Sequence, residues 1–296
     1  MPQSSMRTSF CLLLLVTTFF SCAQKQNELE TTFTFPDSLK EVSGMVRNQD
    51  KSFWVLQDSG NANEVYKIDE SGKVLHTLQV VNQTNNDWEE LTSDKEGNLY
   101  IGDFGNNKNT RRNLQILKIN HSDLDKTQAS ASEIIHFTYP EQKDFPPAKT
   151  ELLYDSEAFI LYEDNFYIFT KNRSKGFDGT SLIYKVPNRP GNHKAILIDT
   201  FKTCGKYSSC AITAAAISPD QKTIILLSHS QIWTLKNFST QNFFNKNELQ
   251  VYSLHHDSQK ESISFGENNT LYIADEFKKG IGGKVYKVDL NNLSKN

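Results

Sequence analysis

The chain is 296 residues long, with 32 Lys and Arg against 35 Asp and Glu, 37% apolar and 11% aromatic residues, and four cysteines. That balance excludes a disordered chain and a disulfide scaffold. A formal charge of −3 over this length leaves no basic stripe for a phosphate backbone, so nucleic acid is not an expected partner.

Residues 1–21 read as an export signal, with a single charge at Arg7, an apolar run over residues 10–20 and Ser21 just before Cys22. The run is shorter than the roughly 20 residues a membrane-spanning helix needs. Phe19-Phe20-Ser21-Cys22 resembles a bacterial lipobox, in the looser Ser-Cys form found in lipoproteins of the Bacteroidota. The resemblance implies that Cys22 carries lipid and that residues 22–30 form a tether. The chain is then expected to be an exported, membrane-anchored lipoprotein of the bacterial cell envelope, held by acyl chains and not by a spanning helix. An ordinary signal peptide followed by a stray cysteine is the competing reading. Cys11 leaves with the signal. Cys204 and Cys210, in CGKYSSC, are expected to close a small disulfide loop in an exported chain. A zinc site competes but lacks ligands, because His193 and His229 lie far along the chain.

From residue 31 to 296 the sequence is a run of short strands and tight turns that repeats five times. First strands start at EVSGM (Glu41), DWEELT (Asp87), DSEAFI (Asp155), AITAAAI (Ala211) and KESISF (Lys260). Second strands are SFWVLQDSG, NLYIGDFGN, NFYIFTKN, KTIILLSHS and TLYIADEF, each after a polar hairpin turn. Third strands end on the recurring aromatic-aliphatic-Lys pattern of EVYKID and GKVYKVDL, and fourth strands follow in four copies. The fifth copy lacks one, and TTFTF from Thr31 is a strand without a copy of its own. The expectation is an all-β single domain: a β-propeller of five four-stranded blades, closed by the N-terminal strand. A β-sandwich is the alternative fold. A sixth blade would come from splitting residues 113–152.

Aligning the first strands puts Ser43, Glu89, Glu157, Thr213 and Glu261 in one register. Fourteen residues after each glutamate stands a second polar residue: Asp103, Lys171 and Asp275. The start of strand one and the end of strand two share one end of a blade, and strand one is innermost. The three glutamates should therefore ring a channel mouth, with Asp58, Asp103, Lys171, His229 and Asp275 around them as ligand-binding residues. Converging carboxylates need a compensating cation, and an all-oxygen set favours calcium first and magnesium second. The competing role is structural, in capping hairpins or tying neighbouring blades. Ser59-Gly60 and Ser43-Gly44 lack the glycines of a nucleophile elbow. Residues 280–283, GIGG, open no helix and form a flexible loop at the same mouth.

DWEEL from Asp87, YIGDFGNN from Tyr100, WVLQDSGN from Trp54 and SEAF from Ser156 together resemble a family of exported bacterial propellers with DWED- and YIGD-type motifs. More distantly, the chain is similar to SdiA-regulated, esterase-like phytase and gluconolactonase propellers. The gluconolactonase likeness implies one divalent ion held by Glu89, Glu157, Glu261 and Asp275. A phytase likeness would need basic residues for phosphate, and Lys171, Arg173 and Lys175 are the only cluster near the site, which reads more readily as a solvated loop. Two functions follow: a lipid-anchored envelope module that binds a small ligand or a protein, or a divalent-metal hydrolase of lactones or phosphoesters at the mouth.

Overall fold

The computed structural model describes Met1 and residues 29–295. Cys22 and the export signal lie outside the described residues. β1 (Glu30–Thr34) precedes a first blade of β2 (Val42–Arg47), β3 (Phe53–Gln57), β4 (Glu64–Ile68) and β5 (Val74–Val81). Blade two holds β6 (Trp88–Ser93), β7 (Leu99–Asp103) and β8 (Leu114–Ile119); β9 (Gln128–Ser130) follows in the chain, and β10 (Glu133–Thr138) completes this blade. Blade three holds β11 (Asp155–Tyr162), β12 (Asn165–Lys171) and β13 (Thr180–Pro187); β14 (Gly191–Lys194) interrupts the chain before its fourth strand, β15 (Ile196–Lys202). The four-residue helix α1 (Tyr207–Cys210) leads into blade four: β16 (Ala214–Ile217), β17 (Thr223–Leu227), β18 (Gln231–Lys236) and β19 (Leu249–Ser253). Blade five is β20 (Lys260–Phe265), β21 (Thr270–Asp275) and β22 (Lys284–Asp289), with β1 as its outer strand.

The fold is the expected five-bladed propeller, and residues 113–152 contain no sixth blade. That stretch instead supplies β8, β10 and the short β9, which crosses to pair in parallel with β5 of blade one. Likewise β14, from the blade-three connection, pairs in parallel with β10 of blade two. Two blades thus carry a fifth strand, each donated by the next blade, which ties the outer edges of blades one to three.

Between blades, apolar faces interdigitate. Phe104 and Phe159 meet edge-on at 5.2 Å between blades two and three, and Tyr167 stacks on Phe243 at 3.7 Å between three and four. Ring closure belongs to β1. Its register with β22 runs from Glu30 opposite Lys287 to Thr34 opposite Lys284, and Phe33 and Phe35 are buried with Phe53 and Tyr272 where blades five and one meet. Because β1 runs antiparallel to β22, Glu30 enters at the end of the ring away from the start of the first strands.

Closure by β1 predicts that Phe33→Ala costs about 3–5 kcal/mol, as for a fully packed aromatic. In a domain this size that lowers Tm by on the order of 10 °C. Deleting residues 31–35 should lower it further and broaden the transition in calorimetry; a deletion that melts like the intact chain would overturn the role given to β1.

Candidate functional site

The register predicted for the first strands has a structural cause. In four blades the ladder between strands one and two is broken by a bulge at the same place, between Val42 and Gly44, Trp88 and Glu90, Ser156 and Ala158, and Lys260 and Ser262. The extra residues are Ser43, Glu89, Glu157 and Glu261. A bulge re-aims its side chain out of the pleat, here toward the channel. Thr213 occupies the fifth position just before β16.

The five positions divide by chemistry. Ser43 Oγ donates to the Trp88 carbonyl at 3.1 Å and Thr213 Oγ1 to the Lys260 carbonyl at 2.7 Å, so both hydroxyls stitch their blade to a neighbour. The three glutamates face the mouth. Glu157 is ion-paired through one oxygen to Lys171 Nζ and through the other to Arg173. Glu261 lies 3.7 Å from Lys171 Nζ and takes His229 Nε2 at 3.2 Å on its other oxygen. Lys171 thus sits between two glutamates from different blades. Arg173, which reads from sequence as part of a solvated loop, instead pairs with Asp155 at 2.5 Å and donates to the Tyr207 hydroxyl. Lys175 is exposed.

Tyr207 is placed by the predicted disulfide, Cys204–Cys210, whose loop includes α1. On the opposite side, Lys260 Nζ donates to the carbonyls of His229 and His256 and to Ser258 Oγ, fixing the loop that carries His229.

Asp103 and Asp275 are fully buried and are held by partners within their own blades. Asp103 accepts from Arg111 Nη2 at 2.8 Å, Asn86 Nδ2 at 2.8 Å, Gln115 Nε2 at 2.9 Å and the Asp87 amide at 3.2 Å. Asp275 accepts from the Lys284 amide at 2.8 Å and the Tyr286 hydroxyl at 2.9 Å. Asp58, half-buried, takes Asn61 Nδ2 at 3.2 Å.

Sequence reasoning passed over three carboxylates here. Glu90, fully buried, accepts the Leu91 amide at 2.9 Å and, from across the channel, the Ala215 amide at 3.4 Å, with the Met45 amide as a further donor. Gly44 lets this happen: a Cβ there would lie 2.7 Å from Leu91 N and 2.9 Å from Glu90 Cα. Asp87 and Glu89 lie together over Gly105, where a Cβ would come within 2.2 Å of Glu89 Oε1 and 2.5 Å of Asp87 Oδ2. Glu276 follows Asp275 and accepts from Gln259. The signal for Glu90 was present in the doubled acid of DWEEL.

Burial and mutual repulsion set the protonation of the cluster. Burial, reinforced by Glu41, Asp87 and Glu261, pushes Asp58 up to about 7. Burial, then Glu261, Asp58 and Glu157, lift Glu276 to about 9. Glu89 is raised well above the carboxylate range by burial and by Glu157 and Asp87, and Glu90 by burial against its hydrogen bonds. Burial opposes ionisation of Glu261 too, but Lys171 and His229 outweigh it and bring it down to about 2. Lys171 stays protonated because Glu157 and Glu261 overcome its own desolvation.

This donor set does not fit calcium. Both oxygens of Glu157 and both of Glu261 are taken by cationic side chains or His229, and Lys171 stands where a divalent ion would bridge them. Among the described residues no three carboxylate, histidine or cysteine side chains converge as a metal set. A cavity of about 900 Å³ opens at the other end of the channel, where buried Met45, Leu91, Ala215 and Ile263 meet a polar rim. Glu90 lies between the two ends.

No protein-family model and no curated protein sequence matches the chain. Solved structures with a similar fold include PQQ-bound aldose sugar dehydrogenase from Streptomyces coelicolor, at 8% identity and a TM-score of 0.50 over 88% of this chain and 96% of that one. A gluconolactonase from Xanthomonas campestris is 8% identical, with a TM-score of 0.48 over 86% and 72% of the two chains. A catalytically inactive virginiamycin B lyase from Staphylococcus aureus, solved with quinupristin, is 16% identical, with a TM-score of 0.41 over 86% and 67%. At such identities the likeness is one of fold. The class is the β-propeller, and the particular protein is a five-bladed one whose channel mouth holds a lysine-centred carboxylate cluster.

Two predictions follow from the charges. Lys171→Met removes the cation that Glu157 and Glu261 share, leaving Arg173 and His229 as their partners, and should cost about 3 kcal/mol in chemical denaturation. The second concerns pH. Asp58 and Glu276 have folded values above their ordinary ones, so the native state holds protons that the unfolded chain releases, and stability falls as pH rises. Tm should therefore drop from pH 6 to 9, with Asp58→Asn flattening the lower part of that window and Glu276→Gln the upper. A wild-type Tm that rises over the window would contradict the assignment.

Proposed function

We propose that this chain is a lipid-anchored propeller of the bacterial cell envelope that binds a small ligand at the carboxylate mouth. The observation that carries the reading is Glu89. Its residue is 8% exposed, yet no hydrogen-bond donor among the described residues reaches its carboxyl. Its oxygens are not sealed from the mouth, so a carboxyl held by no protein donor stands open to a ligand that brings one. The bulge, Gly105 and Asp87 hold it toward the mouth, which is the arrangement of a binding site kept at a cost in stability.

A tether over residues 22–30 would set an orientation as well. Glu30 enters at the end of the ring opposite the mouth, so a lipid on Cys22 would turn the mouth away from the membrane. No helix among the described residues is long and apolar enough to cross a bilayer.

One observation favours the hydrolase reading: Asp58, at about 7, can hold or release a proton near neutral pH. The binding reading draws on the joint placement of Glu89, Asp87 and Gly105 and is the stronger.

Two measurements test the proposal. Cys22→Ser should move the protein from the membrane to the soluble fraction of the cells that make it, and mass spectrometry of the wild type should find acyl mass on Cys22. Native mass spectrometry of protein isolated from those cells should show a small-molecule adduct that Glu89→Gln loses. Turnover of a lactone or phosphoester that Asp58→Asn abolishes would instead establish the hydrolase.

A further inference from the structure

The mouth is asymmetric in what it leaves unused. Every strong donor is spent. Lys171 faces Glu157 and Glu261, Arg173 is shared among Asp155, Glu157 and Tyr207, and His229 is on Glu261. Acceptors are left over. Glu89 takes no hydrogen bond from the described residues, and beside it over Gly105 lies Asp87, whose carboxyl takes the Ser59 hydroxyl and feels the charge of Arg111. The groups on offer are two carboxyls side by side, an acceptor pair once ionised, which suits a head group that brings donors.

Charge narrows the class further. Asp58, Asp87, Glu89, Asp155, Glu157, Glu261 and Glu276 interact electrostatically across the mouth, against Lys171, Arg173 and, near Asp87, Arg111. A neutral ligand would leave that surplus in place, whereas a cation offsets it.

The rim supplies a second chemical element. Phe277 and Ile281, in the β21–β22 loop that also holds Glu276, are 42% and 65% exposed, and across the mouth Tyr207 is 36% exposed with Phe177 edge-on at 5.4 Å. The loop is pinned, not free: Phe277 N bonds the Lys40 carbonyl at 2.8 Å, Lys278 and Ile281 bridge each other, and a Cβ on Gly282 would lie 2.0 Å from the Glu276 carbonyl oxygen. Large apolar side chains held outward beside a polar pocket are characteristic of a surface that meets an apolar group.

We propose that the mouth binds an organic cation, a primary ammonium or guanidinium group attached to an apolar or aromatic body, with the charged head on Glu89 and Asp87 and the body against the Phe277–Ile281 rim. The proposal rests on the binding reading above and names its ligand class. Binding draws the carboxyls into their ionised form and so releases protons, which makes affinity rise with pH.

The test is titration calorimetry of the purified protein with 2-phenylethylamine and agmatine, alongside N-acetyl-2-phenylethylamine, 3-phenylpropionate, glucose and calcium chloride. The amines should bind, more tightly at pH 8 than at pH 6, while the acetylated and anionic probes do not. Glu89→Gln should weaken amine binding about tenfold or more, the loss of one charge-assisted hydrogen bond. The same variant should melt no lower than wild type, since it removes an unpaired buried acid, so lost binding is not lost folding. Ile281→Ser, at an exposed position, should weaken 2-phenylethylamine more than ethylamine. Binding of glucose or calcium that Glu89→Gln removes, with none of the amines, would overturn the ligand class and leave the site standing. Amine binding indifferent to Glu89→Gln would overturn the placement, and silence from every probe, with no cellular adduct, would overturn both.

Discussion

Five inner strands face one another across the channel with backbone N–H groups that have no further strand to pair with. A barrel avoids such edges by closing its ladder; a propeller cannot, and something must satisfy the exposed amides. Here one side chain does so. The Glu90 carboxyl takes amides from its own blade and from blade four, with a further donor in blade one. It reaches them because Gly44 has no Cβ in the way. A buried polar group thus lies between the carboxylate mouth and the large cavity at the other end.

The mouth is a problem in electrostatics solved with protein cations. Three glutamates projected by equivalent bulges would repel, and the usual relief is a bound divalent ion. In this chain blade three contributes Lys171 and Arg173, which neutralise Glu157 and Glu261 from within. That arrangement also explains why Glu89 is the odd member. The internal cations are committed to the other two glutamates, and Glu89 keeps Asp87, a second acid, as its neighbour over Gly105.

Much of the architecture was legible because hairpin chemistry and alternation repeat visibly in each blade. The strand missing from the fifth copy and the spare strand at residue 31 could be matched without coordinates. The site was legible only in part, and β-geometry says why. The fourteen-residue spacing pairs the second polar residue with one that precedes each glutamate by one or two positions: Asp103 with Trp88, Lys171 with Asp155, Asp275 with Lys260. A bulge separates that residue from the glutamate, so the pair does not share a direction. Lysine has an arm long enough to cross back to Glu157, while the two aspartates are too short and bond within their own blades. Glu90 went unread because strict alternation sends adjacent residues to opposite faces, a rule the bulge suspends. The parallel strands β9 and β14 had no signal, being short, polar and dependent on a neighbouring blade for pairing.

The pairing of β1 with β22 has a consequence for how the molecule comes into being. Glu30 finds its partner Lys287 almost a whole chain length away. The strand made first must wait for the strand made last, and until then blade five presents an open edge and Phe33 and Phe35 lack their seat. Contacts of such sequence separation come late and carry a large loop-closure entropy. A ribosome delivering this chain thus releases a string of blades that becomes a ring only when the final strand arrives.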